Sequence, residues 1–262
     1  MLFISNLDPI LINLGPISIR WYGVLFSLGF ILGYFIMQYM FRSLKYKTED
    51  LDKLLVMIFI GTVIGARLGH CIFYEPDFYL SHPLEILKIW KGGLASHGGT
   101  VGVLIMVYIF AKKNKYGLLQ LLDMLSVPVA LVSTLIRIGN FINSEIVGIE
   151  THSTFGVIFA RLGENFPRHP AQLYESIAYF ITFIILGTIY LCVKRRPNGL
   201  IFGLLFVLVF GARILIEPFK VEQADYSTGT VFTVGQYLSV PFILIGLLVI
   251  LFAYWHNDKK EP

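Results

Sequence analysis

The sequence predicts an all-α, polytopic integral membrane protein with about seven transmembrane helices. Three observations carry this fold class. Of the 262 residues, 56% are hydrophobic and only 15% charged, with mean hydropathy +0.71. Apolar windows of about 20 residues, the length that crosses the hydrocarbon of a bilayer, recur along the chain. The basic residues then fall unevenly on alternate connecting segments. An ordinary soluble domain is excluded by the same composition.

The predicted helices run over 22–41, 54–73, 95–111, 120–140, 172–193, 200–218 and 234–255. Six are near-continuous apolar runs. The third, 95–111, is short and opens on glycines, so its apolar stretch is the weakest of the set. Small residues at four-residue spacing, Gly29/Gly33, Gly61/Gly65/Gly69 and Gly98/Gly102, let helix backbones approach closely in lipid. No internal repeat, low-complexity tract or linker interrupts the chain, and residues 1–262 are expected to form a single integral-membrane domain.

Charge placement sets the expected orientation. Arg42, Lys45, Lys47 and Lys53 follow the first helix, Lys112, Lys113 and Lys115 the third, and Lys194, Arg195 and Arg196 the fifth; Lys259 and Lys260 close the chain. The alternate segments carry only Arg20, Lys88, Lys91, Arg161, Arg168 and Lys220. By the positive-inside rule the N-terminus is outside and the C-terminus cytoplasmic, as an odd number of spans requires. The net charge of +4 therefore reflects orientation, and no basic stripe suited to nucleic acid appears. Residues 1–20 lack a basic region ahead of an apolar core, so no cleavable signal peptide is expected. Cys71 and Cys192 fall near opposite membrane faces and read as free thiols.

Three arginines, Arg67, Arg137 and Arg213, lie at the ends of apolar runs. Each costs about 2.5–3.5 kcal/mol at mid-bilayer on insertion scales, so each needs a polar, charged or wet partner. If all three face one space, an anion is implied, and in a membrane the first anion to consider is a lipid phosphate. The other polar clusters fall at the same, outer side: Arg20-Trp21-Tyr22, the glycine-flanked His97-Gly98-Gly99, Asn140, Asn143 and Glu145 after Arg137, and Glu217 one turn beyond Arg213.

Each feature has a plainer account. Trp21 and Tyr22 suit an interfacial aromatic belt. Arg67 can pair with Asp52 or Glu75 and brace helices, or bind a ligand. Arg213 and Glu217 can neutralise each other. His97 can be a hydrogen-bonded interface histidine, although its flanking glycines allow close approach of a ligand to free amides. Asn140, Asn143 and Glu145 can cap a helix end. Beside Arg137, three such groups exceed what capping needs.

A chemistry follows from these parts. Arginines hold a phosphate bidentately and stabilise charge as it leaves. An imidazole accepts a proton from a nucleophile, and a thiol, with an ordinary pKa of about 8.5, benefits from such help at neutral pH. His70, His82, His97, His152 and His169 show no metal-ligand spacing, so no metal is expected. There is no Walker loop or dinucleotide fingerprint, and no cofactor is expected.

Taken together, Arg20-Trp21-Tyr22-Gly23, Gly92-Gly93 through His97-Gly98-Gly99, the run from Arg137 through Asn140, Asn143 and Glu145 to Gly148, and His169-Pro170 with Leu173-Tyr174-Glu175 closely resemble the prolipoprotein diacylglyceryl transferase family. The resemblance extends in order from about residue 8 to 255. It implies a bacterial enzyme of the cytoplasmic (inner) membrane, active towards the outer face. Such an enzyme moves a diacylglyceryl group from phosphatidylglycerol to the lipobox cysteine of a preprolipoprotein signal peptide and releases glycerol phosphate. It implies that Arg137, Asn140, Asn143, Gly148, Gly98 and Glu217 bind phosphatidylglycerol and that His97, Tyr22, Arg213 and Glu145 serve catalysis, with His97 the base candidate. The chain departs from the family pattern at Ile136 (usually glycine), Ser144 (often a larger polar residue), Val209 (often tyrosine) and Lys220 (commonly arginine). The Val209 change removes one hydroxyl contact, and Lys220 weakens a bidentate contact at its position.

Two other classes compete with this reading. A lipid or anion transporter would use the same arginines, but the paired broken helices of related halves are missing. An intramembrane protease would want a serine in a nucleophile turn or two membrane aspartates, and Asp123 is the sole aspartate within a predicted span.

Overall fold

The structure, a computed structural model, describes residues 3–15, 17–221 and 232–258. Lys259 and Lys260, assigned above to the basic side, lie outside the described residues. All seven predicted spans are helical: α1 (Trp21–Ser43), α2 (Thr48–Phe73), α4 (Ser96–Asn114), α5 (Leu118–Ile142), α6 (Ala171–Cys192), α7 (Leu200–Ile216) and α8 (Val234–Asp258). A short α3 (Pro76–Ser81) lies between α2 and α4. Every one of the seven except α4 is long and apolar enough to cross a membrane, which makes the chain an all-α polytopic membrane protein. Helix α4 has 19 residues but begins Ser96-His97-Gly98-Gly99-Thr100 and ends on Lys112 and Lys113, which dilutes its apolar stretch. Helix α2 starts six residues before its predicted boundary because the polar turn around Glu49 and Asp50 is helical yet invisible to an apolar window.

The chain divides into two compact units, Met1–Ile36 with Asp123–Pro262, and Met37–Leu122. In the first, short strands unforeseen from sequence frame the helices. Strand β1 (Phe3–Ser5) pairs in parallel with β4 (Val157–Phe159), and β2 (Ile10–Leu14) pairs antiparallel with β3 (Ile17–Arg20). Gly29 and Gly33 of α1 face Val132 and Pro128 of α5, where an added Cβ would stand 3.2 Å from each side chain. Gly203 of α7 and Gly246 of α8 cross so closely that a Cβ on either would lie 2.7 Å from the other's carbonyl oxygen. Asp123, buried within α5, accepts backbone N–H groups of Gly199 at 2.7 Å and Phe202 at 2.8 Å, capping the start of α7 from outside it.

In the second unit, the predicted small-residue faces meet each other. Gly61, Gly65 and Gly69 of α2 pack against Gly98 and Gly102 of α4, with Gly69 so close that its Cβ would sit 2.8 Å from the Gly98 Cα. Any side chain there would push the backbones apart. At the far end of this pair the Tyr116 hydroxyl donates to Asp50 at 2.8 Å, among the rings of Phe41, Tyr46 and Phe110. Burial and the Asp50 carboxylate push the Tyr116 hydroxyl up to about 12. Cys71 and Cys192 are both free.

Candidate active site

Arg67 is accounted for within its own unit. It is 4% exposed, and its guanidinium donates to the carbonyls of Glu85 and Gly92 at 2.6 Å, Ile86 at 2.8 Å, Gly93 at 3.1 Å and Lys88 at 3.5 Å, with Tyr79 beneath. All three guanidinium nitrogens are used to hold residues 85–93 in shape. The brace accounts fully for this arginine, and neither Asp52 nor Glu75 is its partner. Gly93, at φ +72°, abuts Arg67 and His70 in the same bend.

His97 is the second residue of α4 and is exposed, and its imidazole makes no hydrogen bond among the described residues. Ala95 precedes the helix and offers no side-chain cap, so the first-turn amides around His97 remain open donors. Gly98 belongs to the crossing with Gly65 and Gly69, which by itself explains why that position has no side chain.

The other candidates gather in the first unit, where α5 ends. Arg137 faces the fully buried Glu175 of α6, its Nε 2.9 Å from Oε2, and its Nη1 donates to Asn140 Oδ1 at 3.3 Å. The Asn140 amide donates to Glu145 Oε1 at 2.7 Å, and that of Asn143 donates to the same oxygen at 3.2 Å. The asparagines thus hold a carboxylate instead of merely capping α5. Tyr22, at the start of α1, lies against Gly139, where a Cβ would be 2.8 Å from the tyrosine ring. Its hydroxyl is within reach of the charges of Glu145 and Arg137.

Backbone geometry fixes this loop. Ser144 and Ile146 both adopt φ +56°, an unfavourable region for any side chain and more so for a β-branched one. The Gln172 amide donates to the Glu145 carbonyl at 2.6 Å between them, and a small core of Phe141, Val157 and Phe159 with Val147 and Leu173 packs nearby. Gly148 is pinched between two other backbone segments, its Cβ position 2.5 Å from the Phe219 carbonyl oxygen and 2.7 Å from the His169 Cβ. Only glycine fits there. Arg168 clamps the same region through Glu164, at 2.5 and 2.6 Å, and the Gly148 carbonyl at 3.1 Å. That pairing holds the Glu164 carboxyl below its ordinary range.

Arg213 and Glu217 do not simply neutralise each other. Their closest approach is 3.7 Å, and the same Glu217 oxygen is 3.1 Å from Lys220 Nζ. Lys220 in turn lies 3.3 Å from Glu175 Oε1. Arg137, Glu175, Lys220, Glu217 and Arg213 therefore form one alternating chain of charge. Val209 appears in none of these contacts. Buried polar atoms lacking a hydrogen-bond partner also concentrate here: Asn143 Oδ1, Ser144 Oγ, Gln172 Oε1, Glu175 Oε2 and Arg213 Nε, with only Ser5 Oγ elsewhere among the described residues. Native proteins leave few such atoms without a hydrogen bond, and of these Glu175 Oε2 still has the Arg137 guanidinium 2.9 Å away as its ion-pair partner.

The family of prolipoprotein diacylglyceryl transferases matches residues 9–252. The chain belongs to that family. It is 52% identical over 251 residues to the phosphatidylglycerol–prolipoprotein diacylglyceryl transferase of Tolumonas auensis, covering 95% of this chain and 96% of that protein. The enzyme of the same name from Chloroherpeton thalassium is 47% identical over 250 residues, covering 94% and 92%. That of Bacteroides fragilis is 39% identical over 269 residues, covering 98% and 96%.

Two members of the charge chain, Glu175 and Lys220, are not among the candidates that the sequence singles out. A carboxylate five residues into an apolar helix was the available signal, because such a group needs a cation beside it.

Proposed function

We propose that this chain, acting as one transferase domain over residues 1–262, moves the diacylglyceryl group of phosphatidylglycerol onto the lipobox cysteine of a preprolipoprotein. It does so as a multi-pass enzyme of the bacterial cytoplasmic membrane, N-terminus outside and C-terminus inside, with its active site towards the outer face. The observation that carries the reading is the set of buried polar atoms without a hydrogen bond around Arg137 and Arg213, set within the alternating charge chain. Among the described residues, both terminal nitrogens of Arg213 lack a protein acceptor, and its side chain is 34% exposed. Arg67, by contrast, is satisfied by backbone carbonyls.

In this scheme Arg137 and Arg213 bind the phosphodiester and stabilise the charge that develops on it. Asn140, Asn143, Gly148, Gly98 and Glu217 complete the lipid-binding set, Asn140 by orienting Arg137 and Gly148 by letting the surrounding backbones close up. The substrate thiol gives its proton to a base, for which exposed His97 is the candidate. Sulfur then attacks the glycerol carbon that carries the phosphate. The carbon–sulfur bond forms, the carbon–oxygen bond breaks, and glycerol phosphate leaves with the electron pair. Tyr22 and Glu145 sit beside Arg137 and are assigned to catalysis with it. The chain's own Cys71 and Cys192 take no part.

The test is intact-mass analysis of a lipobox peptide incubated with purified protein and phosphatidylglycerol. A gain of one diacylglyceryl unit on cysteine with release of glycerol phosphate is expected. An unchanged peptide from a folded, lipid-embedded sample would overturn the reading and favour a lipid-anion transporter.

A further inference from the structure

Lys220 is the middle member of the charge chain, and its position is set by backbone rather than by its own side chain. Its N–H donates to the Glu217 carbonyl at 3.0 Å, the residue bridges to Gly148, and Val221 N–H donates to the Val147 carbonyl at 3.3 Å. The side chain is 6% exposed, and its ammonium reaches Glu175 at 3.3 Å and Glu217 at 3.1 Å. Glu175 has no exposed surface, so each of its oxygens answers to one cation, Oε1 to Lys220 and Oε2 to Arg137. Glu217 offers one oxygen to two cations, Lys220 and Arg213.

Three cations therefore share two carboxylates. The next acid, Glu145, is exposed and, among the described residues, meets the chain through the amides of Asn140 and Asn143. Arg168 and Glu164 neutralise each other separately. Without Lys220, each carboxylate would be free to close on its own arginine in a bidentate pair, the arrangement guanidinium and carboxylate prefer. The buried ammonium occupies the second oxygen of Glu175 and lies closer to Glu217 than Arg213 does, at 3.1 Å against 3.7 Å. The buried Tyr179 lies in the field of both guanidiniums and of Glu175. A phosphodiester carries a single negative charge, which matches the net charge of +1 left when three cations share two carboxylates.

We propose that Lys220 is a positioning residue that, by dividing the charge of Glu175 and Glu217, holds Arg137 to a single oxygen of Glu175, keeps Arg213 from closing on Glu217, and so presents both guanidiniums to one anionic phosphodiester lipid. This rests on the assignment of the two arginines to the lipid phosphate. The position that looked like a weakened contact in sequence is then the element that keeps the contact available.

The experiment measures binding of short-chain phosphatidylglycerol by calorimetry, with phosphatidylcholine as the zwitterionic control, beside transfer kinetics at varied lipid. Lys220→Met is expected to raise Kd and KM for phosphatidylglycerol about tenfold, the order of one lost charge–charge contact. Affinity for phosphatidylcholine should change much less. Lys220→Arg should restore Kd to within about twofold, since it keeps the charge. Lys220→Gln provides a second neutral variant if the methionine form does not fold. Unchanged Kd in a folded neutral variant, an equal loss for both lipids, or failure of arginine to rescue would each overturn the proposal. Wild-type protein that binds phosphatidylglycerol in this pattern yet transfers nothing would sink the transferase reading while leaving the positioning role standing.

Discussion

Arg137 Nε lies 2.9 Å from a carboxylate oxygen of Glu175, a side chain with no solvent exposure. An acid so placed persists in an apolar helix only because cations meet it, and removing one partner of a buried pair costs about 3–5 kcal/mol. Arg137→Ala is therefore expected to lower both stability and transfer. Transfer should fall by at least about a hundredfold, the scale of a lost transition-state donor. Assay of protein recovered folded from membranes separates the two effects; near-normal turnover per folded molecule would contradict a phosphate role.

His97 stands at an uncapped helix start with its ring unengaged. If it takes the thiol proton, His97→Asn should matter least where the substrate is already thiolate. A thiol of pKa about 8.5 is mostly protonated at pH 7 and largely ionised at pH 9.5. The deficit of the variant should accordingly shrink as pH rises across that interval. A pH–rate comparison showing a constant ratio would exclude base catalysis by this residue.

Arg67 holds residues 85–93 by donating to five backbone carbonyls. Arg67→Met removes those donors, and the expected result is local opening between α3 and α4. Limited proteolysis should cut this segment faster in the variant by about tenfold or more, as for a local loss of at least about 1.4 kcal/mol. Arg67→Lys, with one compact charge for five acceptors, should rescue only partly. Unchanged cleavage would mean that the segment holds its shape without the guanidinium.

Glu164 and Arg168 supply an acid-sensitive contact. The arginine holds the Glu164 carboxyl below its ordinary value, so the pair contributes stability above the unfolded-state value of about 4.3. That contribution is lost as pH falls through the depressed folded value. Thermal unfolding of the wild type should therefore weaken below about pH 4.3, and Glu164→Gln should flatten that part of the curve by the size of a surface ion pair, roughly 0.2–1 kcal/mol. Superimposable pH profiles would show that the pair contributes nothing measurable.

Asp123 gives a prediction of the opposite kind. Its carboxylate is occupied by the amides of Gly199 and Phe202, so its presence in a membrane span has a structural cause. Asp123→Ala should cost about 0.5–2 kcal/mol, as for a lost helix cap, and leave kcat per folded molecule within about twofold. A selective loss of turnover with stability intact would contradict a purely structural role for that aspartate.

The helices were legible in the sequence because each apolar span must satisfy its backbone internally, and helical length and composition advertise that requirement directly. The glycine faces of α2 and α4 were legible too, since close packing in lipid demands small residues at a four-residue interval. The polar candidates around Arg137 stood out because charge next to an apolar run is costly wherever it occurs. What the chain could not reveal from its order alone was pairing. Arg67, Arg137 and Arg213 look alike as arginines ending apolar runs, yet the first is satisfied by carbonyls 18–26 residues away and the others meet carboxylates. Glu175 and Lys220 lie 45 residues apart and acquire meaning only when α6 and the chain after α7 bring them together. Composition and periodicity are local quantities and determined the spans; electrostatic partnership depends on distance in space, which only the tertiary structure decides.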